Sequence, residues 1–61
     1  MSSWKQIGDG LHKYAEQTAS DIGEDYSAAL REMLSERKDV AASVGCTVTQ
    51  VVAWVNWKVA G

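Results

Sequence analysis

The stretch Val40-Ala41-Ala42-Ser43-Val44-Gly45-Cys46-Thr47-Val48-Thr49-Gln50-Val51-Val52-Ala53-Trp54-Val55 decides how this chain folds. Ala41 is followed by Gly45 four residues later, by Val51 six beyond that and by Trp54 three further on, with Val40, Val44, Cys46 and Val48 in the apolar positions between. A small residue at 41 lets two helices touch. Gly45 takes a positive φ at little cost and so stops the first helix, and Thr47 is a suitable N-cap for the next. Val51 and Trp54 then anchor the second helix on the first. The competing reading is a strand. Thr47, Val48, Thr49, Val51, Val52, Val55 and Val59 are β-branched, which favours extended backbone, and residues 51, 53, 55, 57 and 59 are all apolar, a period of two. A strand of that length would lack a partner, because the chain carries no hairpin signal. Helix over 47–60 is the preferred reading, with strand as the alternative.

Outward from this stretch, helical spacing continues. Tyr26, Ala29, Leu30, Met33 and Leu34 form an apolar stripe behind Asp25, an N-cap. Val40, Ala41 and Val44 extend that stripe, and neither Gly nor Pro interrupts residues 24–44. The polar run Ser35-Glu36-Arg37-Lys38-Asp39 is either a break, with Ser35 or Asp39 as a new cap, or a solvated part of one long helix; the break is preferred. Earlier still, Trp4, Ile7, Leu11, Tyr14 and Thr18 recur at spacings of 3, 4, 3 and 4, widened by Ala15, Ala19 and Ile22. Ser3 with Gln6 fits a capping box. Gly8 and Gly10 fall inside this pattern and each costs about 1 kcal/mol against Ala, so a start at Asp9, acting as its own cap, is the alternative. Gly23 ends the segment. The expected fold is all-α, a small three- to four-helix bundle in a single domain over 1–61. An N-terminal helix occupies 1–23, a second 25–36, and the two-helix unit 37–60.

Composition narrows the function. The 61 residues include 8 Ala and 7 Val but only 3 Leu, 2 Ile and no Phe. A chain this short buries only about 60% of its surface. Cys46 has no disulfide partner, and no Cys/His cluster offers a structural metal. Further core has to come from association, so a homodimer or a stable protein partner is expected. No cofactor is implied, and no Ser-His-Asp, Cys-His or paired-carboxylate arrangement suggests an enzyme. His12 reads as a surface histidine and Cys46 as a small core residue. The start, Met1-Ser2-Ser3-Trp4-Lys5, lacks the pattern of a secretory signal. The longest apolar run, Val51–Val55, is far short of the roughly 20 residues of a membrane span. A single unpaired Cys fits the reducing cytoplasm.

The spacing around Gly45 looks like the helix-turn-helix pattern of small phage-type regulators, and residues 40–55 also resemble the last two helices of homeodomains, whose pattern runs approximately L-A-x-x-L-x-L-T-x-x-Q-V-x-x-W-F. The similarity covers about 16 positions and implies a three-helix fold that binds double-stranded DNA. Homeodomains continue with x-N-x-R, whereas here Trp57 stands in the Asn slot and Val59 in the Arg slot, and no basic arm precedes the first helix.

Two functional surfaces follow. With Val48, Val51 and Trp54 turned inward, Thr47, Thr49, Gln50, Ala53 and Asn56 are left for DNA. Gln50 and Asn56 have the amide chemistry for bidentate contacts to adenine, and Thr49 or Ala53 suits a thymine methyl. Arg37, Lys38 and Lys58 are the candidate phosphate contacts. The charge is sparse and uneven. Lys5 and Lys13 face Asp9, Glu16, Asp21, Glu24 and Asp25 in the first 30 residues, a balance of −3; the rest balances at +1, and the chain at −2. The last helix is also apolar nearly all round, which normally means burial on both faces. Val52, Val55, Trp57 and Val59, with Trp4, are therefore the candidate protein interface. The primary reading is a small helix-turn-helix transcriptional regulator that binds DNA as a homodimer. The alternative keeps the fold and docks a protein through the C-terminal helix, as an anti-repressor or an inhibitor of a regulator would. The acidic segment 21–25 reads as a solvated connection.

Overall fold

Helix α1, Trp4–Ile22, starts where the Ser3 and Gln6 pair predicts. The Gln6 N–H donates to Ser3 Oγ at 3.2 Å and the Ser3 N–H donates to Gln6 Oε1 at 3.0 Å, so two orphan donors are satisfied reciprocally. Asp9 is not a cap, because the helix runs unbroken through both glycines. The reason lies in packing. A Cβ at Gly10 would stand 3.0 Å from Val44 Cγ1, and one at Gly8 would meet the Trp54 indole at 3.5 Å. The glycines lie where α1 approaches the C-terminal half, and burial there offsets their poor propensity.

The computed structural model describes residues 3–61, so the first two residues of the expected 1–23 segment lie outside it. Three further helices follow: α2, Tyr26–Ser35; α3, Arg37–Val44; and α4, Val48–Ala60. The described residues contain no strand, and the 47–60 segment is helical. Asp25 caps α2 as expected, its carboxylate accepting the Ala28 N–H at 2.9 Å. The polar run breaks the helix, but neither Ser35 nor Asp39 is the new cap. Glu36 alone separates α2 from α3, at φ −111° and ψ 33°, with no side-chain cap hydrogen bond. The backbone needs only a one-residue departure there, since Val40 N–H already reaches the Glu36 carbonyl at 3.0 Å.

Between α3 and α4 the chain turns by 103° across Gly45-Cys46-Thr47. Gly45 sits at φ 83°, and its N–H and that of Cys46 both donate to the Ala41 carbonyl, at 2.9 and 3.0 Å. Ile7, Leu11 and Ala15 of α1 pack with Leu30 and Met33 of α2, Val40 and Ala41 of α3, and Val51, Trp54 and Val55 of α4. No polar or charged residue is buried among those described. Among the described residues, no single helix is long and apolar enough to cross a membrane.

Candidate nucleic-acid interface

The inward face of α4 is made by Val51, Trp54 and Val55, all essentially inaccessible. That assignment determines the opposite face. Thr49, Ala53 and Asn56 are exposed and follow one another at i, i+4 and i+7, the spacing of neighbours on one side of a helix. At 1.5 Å per residue they form a row about 10 Å long. A hydroxyl, a methyl and a carboxamide are thus presented in line, without a charge between them.

Thr47 and Gln50 are committed locally. The Gln50 N–H donates to Thr47 Oγ1 at 3.1 Å and the Thr47 N–H donates to Gln50 Oε1 at 2.9 Å, a complete capping box at the start of α4. A bidentate contact to adenine needs the amide oxygen as acceptor and the amide nitrogen as donor together. In Gln50 the oxygen is already engaged, whereas Asn56 forms no side-chain hydrogen bond among the described residues. The amide suited to reading a base is therefore Asn56.

The cations do not gather around this row. Arg37 and Lys38 open α3, at the end remote from the turn, and eight residues of helix put roughly 10 Å between them and Gly45. Arg37 Nη1 donates to the Leu34 carbonyl at 3.3 Å, closing the last turn of α2. Lys58 lies near the other end of α4, with Nζ 5.2 Å from the Trp57 ring centroid and 5.7 Å from that of Trp54, both within cation–π range. Glu36 and Asp39 flank the two α3 cations in sequence, which dilutes their field.

The expected protein interface divides. Val55 is 0% exposed and belongs to the core, because α4 turns its 51/54/55 edge inward rather than the whole valine stripe. Val52 is half-buried. Trp57 and Val59 are open to solvent, at 62% and 63%, and so is Trp4, at 51%. Trp4 and Trp57 border a groove between α1 and α4 that also includes Lys5, Gly8, Asp9, His12, Trp54 and Lys58. On the α1 side only Trp4 was expected; Lys5, Gly8, Asp9 and His12 are additions. The sequence signal for it is the i, i+4, i+8 spacing of Trp4, Gly8 and His12, which branches from the apolar stripe at Trp4.

His12 also makes an unforeseen link. Its Nδ1 lies 2.9 Å from the Tyr26 hydroxyl and its Nε2 3.2 Å from Glu16, joining α1 to the start of α2. Partial burial, and then the Glu16 carboxylate, hold the Tyr26 phenol above its ordinary pKa. Burial likewise pushes the Cys46 thiol up, which keeps it protonated and poorly nucleophilic. No family model, curated protein or solved structure matches this chain.

Proposed function

We propose that this protein is a small cytoplasmic helix-turn-helix regulator that binds double-stranded DNA as a homodimer, with α4 in the major groove. One observation carries the reading. α3 and α4 meet at 103° through a three-residue turn opened by a glycine, within the 90–120° of helix-turn-helix units, and the second helix exposes Thr49, Ala53 and Asn56 in a row. In such units the second helix meets base edges near its N-terminal end. Thr49 and Ala53 supply methyl contacts there and Asn56 supplies the paired donor and acceptor. Thr47, whose hydroxyl oxygen accepts from Gln50, keeps its hydroxyl proton to donate to a phosphate. Lys38 and Arg37 meet the backbone from the far end of α3.

The test is selection of a preferred duplex from a random pool, followed by titration of variants. Asn56→Ala should weaken binding to the selected duplex about 10-fold, the loss of one good bidentate pair being worth about 1–3 kcal/mol. Gln50→Ala should weaken it less and lower helix stability instead. No loss with Asn56→Ala and Thr49→Ala together contradicts this assignment.

The exposed Trp4, Trp57 and Val59 favour a second reading, in which the same fold docks another protein through the C-terminal half of α4. The two readings part on duplex binding at low salt, which only the first requires.

A further inference from the structure

Two apolar spots are left without a function in DNA reading, and they lie at opposite ends of α1. One is the groove with exposed Trp4 and Trp57 on its rim; the other is Ile22, 41% exposed at the α1–α2 corner. We propose that the groove of one copy receives the acidic α1–α2 corner of a second copy, so that the chains associate head to tail.

Charge complementarity supports this occupant. The groove carries Lys5 and Lys58, with Asp9 and His12 on its α1 side. Lys58 is held with its ammonium over the Trp57 and Trp54 rings, so its charge stays beside the apolar surface. The corner presents Ile22 flanked by Asp21, Glu24 and Asp25, all exposed. An exposed apolar side chain with three carboxylates close in sequence, two of them partly engaged by Gln17 and the Ala28 N–H, thus matches an aromatic groove whose two ammonium groups outnumber its one carboxylate, Asp9. Pairing groove with groove would instead bring Lys5 and Lys58 towards their own symmetry mates.

Geometry makes the contact intermolecular. The 19 residues of α1 span about 28 Å, nearly the full 33 Å length of the molecule, so a chain cannot seat its own corner in its own groove. Such an interface is heterologous: the two surfaces differ, and a dimer retains one free groove and one free corner. It is open-ended, so further copies can add at the free groove and the free corner. A standard interface hides about 800 Å² per partner, close to a fifth of the 4083 Å² surface here. Contact between one corner and one groove is smaller, so the association is weak.

Sedimentation velocity without DNA, from about 10 µM to about 1 mM protein, tests this independently of the DNA reading. The weight-average mass should rise above 6.6 kDa with concentration, and less so in about 0.5 M salt, where the Debye length is only a few Å. Trp57→Ala removes the groove rim, and Asp21→Lys with Glu24→Lys reverses the corner. Both sites are exposed, so circular dichroism should show unchanged helicity. Each variant alone should stay at 6.6 kDa, while an equimolar mixture should restore a dimer through the one intact groove and the one intact corner. A wild-type chain that remains monomeric throughout overturns the proposal. So does a corner variant that associates normally, which indicates groove-to-groove pairing, and so does a mixture that restores nothing.

Discussion

The α2–α3 joint and the α3–α4 joint achieve different things with different chemistry. Between α2 and α3, Glu36 leaves helical geometry for one residue, no side chain caps the start of α3, and the chain continues with only the Arg37 guanidinium on the Leu34 carbonyl. Between α3 and α4 the direction changes by 103°. There a left-handed glycine, a carbonyl that accepts two N–H groups, and a reciprocal capping box are all needed. A sharp turn strands more backbone donors and acceptors than a shallow break, and each must find a partner. Special residues therefore concentrate at 45, 47 and 50 and are missing at 36. The box also fixes the Gln50 side chain, whose amide oxygen already accepts the Thr47 N–H.

Substitutions at the two joints should differ accordingly. Gly45→Ala forces an L-residue to φ 83° with no steric neighbour to blame, so the loss is purely conformational, about 1–2 kcal/mol. Against a total of about 3–9 kcal/mol expected for a chain of this size, urea denaturation resolves that readily. Thr47→Ala removes the cap acceptor of α4 and should cost about 1 kcal/mol. Glu36→Ala should stay within about 0.5 kcal/mol of wild type, since its side chain caps nothing; a loss as large as that of Thr47→Ala would break the contrast between the joints.

The smallest effect concerns the third connection, from α1 to α2. The folded state holds the Tyr26 phenol above its ordinary value of 10.0. A raised folded-state pKa gives a contribution that is present below pH 10 and lost as pH rises through the folded value. Stability should decline in that alkaline window, and Tyr26→Phe should decline less. Equal slopes for the two proteins would show that burial of the Tyr26 phenol, beside the Glu16 carboxylate, carries no linkage.

These contrasts also explain what was legible in the sequence. Gly23, Asp25, Gly45 and Thr47 were readable because positive φ and N-cap acceptors demand particular residue types. Ser3 and Gln6 gave the correct start of α1, yet the glycines suggested a later one, because propensity is local while the packing of Gly10 against Val44 is not. Glu36 was unreadable as the break since nothing about its side chain is used there. On α4 the buried edge at Val51 and Trp54 is clear in the sequence, but an apolar helix does not reveal which flank is inward, and Val55, expected at an interface, lies in the core. The engagement of Gln50 is in principle visible, because T-x-x-Q is a capping box, although the same amide also suits a base edge and the pattern alone does not choose between them. The groove needed two helices distant in sequence to be brought together, and no single-segment pattern carries that.

The most direct test of the DNA reading is fluorescence anisotropy of a labelled random duplex titrated with the wild-type protein at about 50 and about 200 mM salt. Three phosphate contacts per chain, from Arg37, Lys38 and Lys58, imply a slope of at least about −2.7 in log K against log salt, or roughly a 40-fold loss of affinity between those conditions for one bound chain, and about twice that slope for a homodimer. Binding at the lower salt that falls by at least that factor is the predicted result. No binding at about 50 mM, or binding indifferent to salt, would contradict the claim that this fold presents α4 to DNA.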